Sequence, residues 1–291
     1  MNDYIIVTDS SANLPEHTIE KFGITVLSLH FYIEGAEYKS YVKGKETDLS
    51  QFYAMMRDKK DITTSLPSIE EAEIEFRNIL ESGKDIIYIG FSSGISGTYQ
   101  ALAALLEDLK NEYTDRKIYT VDTFMAALGE GILVHHAIEQ KNEGRSIDEV
   151  YEWQLENRFK ACGWFTVDDL FFLKRGGRVS AAAAVFGSAL SIKPLLLIDD
   201  DGHLIPLDKA RGRKKSLHSL IAHVKETIEN PEDQIVGISH GDCLEDAEYT
   251  AEKLKEEIPV KGIMIRILDP VIGAHSGPGT VGIFYMGRKR Q

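Results

Sequence analysis

The chain has 291 residues, 43% of them hydrophobic and 27% charged. That is long enough for two domains and apolar enough to fill their cores, which excludes a disordered chain. A formal net charge of −13 argues against nucleic acid as the main partner, because a phosphate backbone is held by a basic face that releases counterions.

In chain order, "YIIVTDS" is a short apolar run ending in Asp and Ser, "NLPEHTIEKFG" reads as a helix closed by Gly23, and "ITVLSLHFYI" alternates as one strand would. "TDLSQFYAMMRDK" and "SIEEAEIEFRNILESG" carry 3.6-residue periodicity, the second with Ser68 and Glu71 in capping-box register. "DIIYIGF", "GTYQALAALLEDLKNEY", "KIYTVDT" and "AALGEGILVHHAIEQKNEG" then alternate strand, helix, strand, helix, the pattern of parallel strands joined by crossover helices. After "ENRFKACGWFTVDDLFFLKRGGR" the candidates are short strands: "CGWFTVD", "IKPLLLIDDDGHLIPL" with an Asp-Gly hairpin signal, "QIVGISHG", "GIMIRIL" and "TVGIFYMG". The expected architecture is an N-terminal three-layer α/β/α domain with a parallel sheet over residues 1–155 and a C-terminal two-layer α/β domain with a mixed sheet over 156–291.

The N-terminus lacks the basic and apolar regions of a secretory signal, and "VSAAAAVFGSALSI" is short of the roughly 20 residues that span a bilayer. Neither Cys162 nor Cys243 has metal-ligand spacing or belongs to a disulfide framework. A reducing cytoplasm, no membrane insertion and no cofactor are the resulting expectations.

The stretch "IYIGFSSGISGTYQALAALL" places glycines and hydroxyls between a strand and a helix. Unpaired N–H groups and the positive helix end make such a place suited to an anion. Gly90, Gly94 and Gly97 would let a ligand approach the backbone, and Ser92, Ser93, Ser96 and Thr98 would offer hydroxyls. Helix capping by Ser96 or Thr98 is the plainer alternative. The spacing is neither that of a dinucleotide fingerprint nor that of a P-loop. "GFSSG" also matches G-x-S-x-G, a nucleophile elbow with Ser92 as nucleophile, Asp242 or Asp269 and then His275 following in the order of an α/β-hydrolase.

Hydroxyls gather again in "DITTSLPS", with Thr63, Thr64 and Ser65, and "GAHSGPGT" holds His275 between glycines. Loop ends on one edge of a sheet converge, so these clusters together suggest a site. Two basic clusters, Lys174, Arg175 and Arg178, and Lys209, Arg211, Arg213, Lys214 and Lys215, stand out on an acidic chain as solvated faces or as a docking patch for an acidic or phosphate-bearing partner.

With "VTDSSANLP", "TTSLPS", "GFSSGISGTYQ", "VDTFMAALGEG", "LKRGGRVS", "IKPLL", "ARGRKKS" and "GAHSGPGTVGIFYMG" in that order, the whole chain resembles the bacterial DegV family. Leu66 stands where Gln is common in its T-S-x-P motif. The resemblance implies a non-catalytic subunit that binds one long-chain fatty acid between two domains and presents the carboxylate to a separate ATP-dependent fatty acid kinase, giving an acyl phosphate for phospholipid synthesis. It implies head-group contacts from Thr63 or Thr64 with Ser65, from Ser93 and from His275, to which loop geometry adds Ser92 and Ser96. It implies kinase contacts from Arg178 and Arg211. The small apolar stretch "SAAAAVFGSALSI" and "FFL" are candidates for a tail tunnel or for plain core.

Overall fold

The computed structural model describes residues 3–45, 48–179 and 191–290. Residues 180–190, most of the tunnel candidate "SAAAAVFGSALSI", therefore lie outside the described residues. Three sheets organise the described residues. A four-stranded parallel sheet runs β2-β1-β6-β7, from Thr25–Leu27, Tyr4–Asp9, Asp85–Gly90 and Ile118–Asp122. Helices α3 (Ile69–Glu81) and α4 (Thr98–Glu112) cover one face, and α5 (Leu128–Asn142) and α6 (Ile147–Asn157), packed side by side, cover the other.

The second sheet is six-stranded and mixed, in the order β10-β9-β8-β13-β11-β12, from Leu204–Arg211, Ile192–Ile198, Ala161–Thr166, Val281–Met286, Ile235–His240 and Gly262–Ile267. Helices α8 (Arg213–Thr227) and α9 (Leu244–Glu257) cover its outer face, while its inner face packs on α5. Helix α5 is thus wrapped by both sheets, and it buries Leu128, Leu133, Val134, Ala137, Ile138 and even Glu130. The expected α/β/α layering and mixed sheet are both present, and the Asp-Gly signal is the β9-β10 hairpin.

"ITVLSLHFYI" is not one strand. β2 pairs with β1 only as far as Leu27, Leu29 N–H donates to Ser10 Oγ, and the chain leaves to form β3 (His30–Ile33). β3 is the centre of a small antiparallel sheet with β4 (Ala36–Lys39) and β5 (Ile62–Ser65). Of the capping box expected at α3, one half is present: Glu71 N–H donates to Ser68 Oγ, but the Glu71 carboxylate is drawn off by Lys39 Nζ at 2.7 Å. The reciprocal box forms instead at Ser146 and Glu149, which open α6.

Candidate functional site

A cavity of about 300 Å³ lies where the small sheet, the strand ends of the parallel sheet and the inner face of the mixed sheet meet. The end of β5 contributes Thr64, Ser65 and Leu66. The loop after β6 adds Phe91, Ile95, Ser96 and Gly97, and the turn after β7 adds Ala126 and Ala127. Its floor is the mixed sheet, with Phe165 of β8, Ile198 of β9 and Phe284 of β13. Leu173 of α7 (Phe171–Arg175), Arg178, and Val271 and His275 of α10 (Pro270–Ser276) complete the wall. Most of this lining is apolar; one polar group gathers Thr64, Ser65, Ser96, Arg178 and His275, and Ser239, Ser276 and Thr280 are further polar residues of the wall.

At that polar group, Thr64 Oγ1 and His275 Nε2 are 2.8 Å apart. Burial first, then the charges of Arg178 and Arg175, push the imidazole down to about 4, so His275 is neutral at neutral pH. Arg178 is half-buried; its Nε donates to Ile95 O at 3.3 Å, and another N–H donates to Gly176 O. Ser65 Oγ lies 3.3 Å from Tyr32 OH, and Ser96 Oγ lies 2.9 Å from Thr98 Oγ1 while accepting from Thr98 N–H. Ser96 Oγ thus takes the N–H of the first residue of α4 as well as lining the cavity, although the N-cap itself is Gly97, which has no side-chain cap. The arrangement offers one cation, one neutral imidazole and three hydroxyls at the end of an apolar space, a set suited to an ionised oxyacid.

The other candidates are placed elsewhere. Thr63, opposite Tyr32, is exposed and lies outside the cavity lining that its neighbours Thr64 and Ser65 join. Ser92 is fully buried; its Oγ donates to Gly202 O at 2.9 Å and accepts from Gly94 N–H. The Ser93 N–H donates to Asp122 Oδ1 at 3.3 Å and its carbonyl accepts from Gln100 Nε2, so Ser93 stands in the loop beside the cavity lining. Arg211 is exposed at the end of β10, whereas Arg213 of the same cluster is held by Asp246 at 2.8 Å. Arg178, implied as a partner contact, is part of the cavity wall.

The hydrolase triad is not assembled. Ser92 Oγ is bonded to Gly202 O, Asp269 accepts from Ser40 Oγ and Ile272 N–H, and Asp242 is paired with Arg57. Two glycines serve packing rather than ligand approach: a Cβ on Gly90 would fall 2.3 Å from the Tyr88 ring, and one on Gly94 would fall 2.4 Å from Asp201 O. Gly97 alone of the three lines the cavity.

Sequence reasoning missed the turn after β7. Phe124 and Ala127 both have positive φ, 50° and 52°, a costly backbone for residues with a Cβ. Thr123 holds it, donating through Oγ1 to Gly90 O at 2.7 Å and accepting from Met125 N–H, while Ser92 N–H donates to Met125 O. The turn thereby carries Ala126 and Ala127 into the cavity wall. Gly176 is a second unrecognised determinant, because a Cβ there would lie 2.2 Å from His275 Nδ1. Gly176→Ala, whose backbone angles suit alanine, is expected to displace the imidazole and weaken ligand retention severalfold with little loss of stability; an unchanged affinity in a ligand titration would contradict this packing role.

Comparison with known proteins agrees with this architecture. The family model described as "Uncharacterised protein, DegV family" matches residues 4–288. A DegV domain-containing protein of Clostridium perfringens is 42% identical over 291 residues, covering 100% of both chains. Among solved structures, a DegV family protein from Thermus thermophilus, described by its fatty acid binding, superposes with a TM-score of 0.85 at 29% identity, covering 98% of this chain and 100% of the other. Bacillus subtilis DegV, described as a fatty acid binding protein, superposes at 0.84 with 29% identity, covering 99% of this chain and 100% of that one. Among the described residues no helix is long and apolar enough to cross a membrane. A matched family model over nearly the whole chain, a full-length relative and a shared tertiary structure together make this chain a member of the DegV family.

Proposed function

We propose that the chain binds one long-chain fatty acid in the apolar cavity, between the regions 1–155 and 156–291, and presents its carboxylate to a separate ATP-dependent kinase without itself reacting. The observation that carries the binding reading is the separation of a greasy floor, Phe165, Ile198 and Phe284, from a polar group containing Arg178, Thr64 and His275. Each methylene buried contributes about 0.8 kcal/mol, so the tail supplies affinity. The head group needs donors, and Arg178 with its neighbours offers them. The solved DegV relatives described as fatty acid binding support the same ligand class.

A larger cavity of about 530 Å³ borders Asp9, Asp269, Glu16 and Asp48 alongside Lys45 and Arg266. Its surplus of carboxyl groups would repel a fatty acid head, so the smaller apolar cavity is the better fit despite its size. The kinase partnership rests on the family resemblance and on the exposed basic residue Arg211.

Native mass spectrometry of the purified chain is expected to show a co-purifying fatty acid and no labelling of Ser92 by a fluorophosphonate probe. Thr64→Val and His275→Ala are each expected to lower retention of that acid about tenfold, the worth of one lost hydrogen bond to a charged group. A covalently labelled Ser92 with ester turnover would reverse the reading. Arg211→Ala is expected to slow acyl phosphate formation by an added kinase while leaving the lipid in place, and equal rates would remove Arg211 from the docking surface.

A further inference from the structure

The cavity floor contains a polar spot that an all-methylene chain leaves unmet. Ser239 lies near the C-terminal end of β11, directly opposite Gly282 of β13, which is in turn opposite Phe165 of β8. All three line the cavity. Gly282 has no side chain to cover its neighbour, and Ser239 Oγ is buried without a hydrogen-bond partner among the described residues. Ser276 Oγ, on the same cavity wall, is likewise unpartnered, whereas the nearby Thr280 Oγ1 donates within the turn, to Ser276 O or Gly277 O at 2.9 Å. A hydroxyl enclosed without a partner costs free energy that alanine in its place would avoid.

We propose that this cavity selects an acyl chain bearing a hydroxyl group along its tail, with Ser239 as the residue that meets it. The inference rests on the fatty-acid reading above and adds the substrate class. A chain hydroxyl both donates and accepts, so it satisfies Ser239 Oγ and is itself satisfied in a space where a plain tail would leave the serine bare.

The test is a competition on the delipidated full chain between stearic acid and hydroxystearic acids carrying the hydroxyl near the head, at mid-chain or near the tail, with bound species counted by native mass spectrometry. One positional isomer is expected to be retained about tenfold over stearic acid, and Ser239→Ala is expected to bring that ratio to parity. Equal retention of every acid by the unaltered chain would overturn the proposal. A preference that survives Ser239→Ala, or that is lost only in Ser276→Ala, would overturn the assignment to Ser239. Retention of no acid at all by a chain that circular dichroism shows to be folded would sink the fatty-acid reading and this inference with it, an outcome distinct from equal retention.

Discussion

Arg290→Met is expected to destabilise the protein by about 3–5 kcal/mol, which for a chain of this size lowers the melting temperature by roughly 10 °C. The C-terminal "GRKR" hardly looks structural in sequence, yet Arg290 is 2% exposed. Its Nε donates to Ala161 O at 2.8 Å, Nη1 to Phe124 O at 3.0 Å and Asp199 O at 2.8 Å, and Nη2 to Thr123 O at 2.9 Å and Arg158 O at 2.7 Å. A guanidinium has five N–H donors, and here each points at a carbonyl.

Those carbonyls belong to the turn after β7, to the residues leading into β8 and to the β9-β10 connection, so one side chain ties both sheets and the strained turn of the cavity wall together. Burial lowers the pKa of Arg290 to about 10, which leaves it charged at neutral pH. Methionine fills similar space but leaves the carbonyls without these donors. Arg290→Lys can restore at most three of the five bonds and is expected to recover only part of the loss. Lipid retention should fall with stability in both variants, because Ala126 and Ala127 depend on the same turn. Thermal unfolding like that of the unaltered chain in Arg290→Met would refute the clamp.

The second large effect concerns a proton. Ser11 Oγ lies 2.6 Å from both Asp9 Oδ1 and Glu130 Oε2, deep inside the fold. One hydroxyl has one proton to donate, so the two carboxyl groups cannot both be satisfied as acceptors. Burial pushes the Asp9 pKa up as well, but Ser11 N–H, Phe91 N–H and Tyr88 OH also donate to it and oppose that push, which favours the charge on Asp9 over Glu130. Glu130 receives only Thr8 Oγ1 besides, and burial, followed by the neighbouring charge of Asp9, raises its pKa well above the ordinary value. The consistent arrangement is a protonated Glu130 donating to Ser11, which donates to ionised Asp9. Further groups facing this pair are Asp269 and Tyr88, and neither brings a positive charge.

A carboxyl whose folded pKa is raised holds its proton more tightly in the folded state. The stability it contributes is complete below the unfolded glutamate value of about 4.3 and is lost as pH rises through the folded value. Glu130→Gln supplies an amide donor to Ser11 and an acceptor to Thr8, so it is expected to stay within about 1 kcal/mol of the parent near neutral pH and to remove this part of the pH slope. Ser11→Ala breaks the relay and is expected to cost about 2–4 kcal/mol. Denaturant unfolding across pH checks both: parallel slopes for the parent and Glu130→Gln would exclude a proton on Glu130. Lowered values for His275, His240 and His223 act in the opposite direction, so the difference between variants, not the parent curve alone, reads the glutamate.

Local signals carried much of the fold. Ser68 at the head of an apolar-periodic run announces α3, and Asp-Gly between two apolar runs announces the β9-β10 hairpin, because caps and tight turns are satisfied by residues three or four apart. Helices α8 and α9 also have helical spacing, in "RKKSLHSLIAHVKET" and "LEDAEYTAEKLKEE", a signal that the short-strand pattern of the second half does not announce. The split of "ITVLSLHFYI" was not legible, since period-two alternation is the same whether a segment serves one sheet or two.

By itself, then, the sequence determined the α/β alternation, the clustering of hydroxyls at strand ends, His275 among glycines and the family to which these belong, all matters of composition and short-range order. The tertiary structure alone decided that Thr64 rather than Thr63 faces the cavity, that Ser92 is spent on Gly202, that Gly176 makes room for an imidazole, and that Arg290 and Glu130 hold distant segments together. Each of those depends on which face of an element is buried and on partners far apart in the chain, and a buried donor or acceptor finds its partner by packing, whatever their separation in sequence.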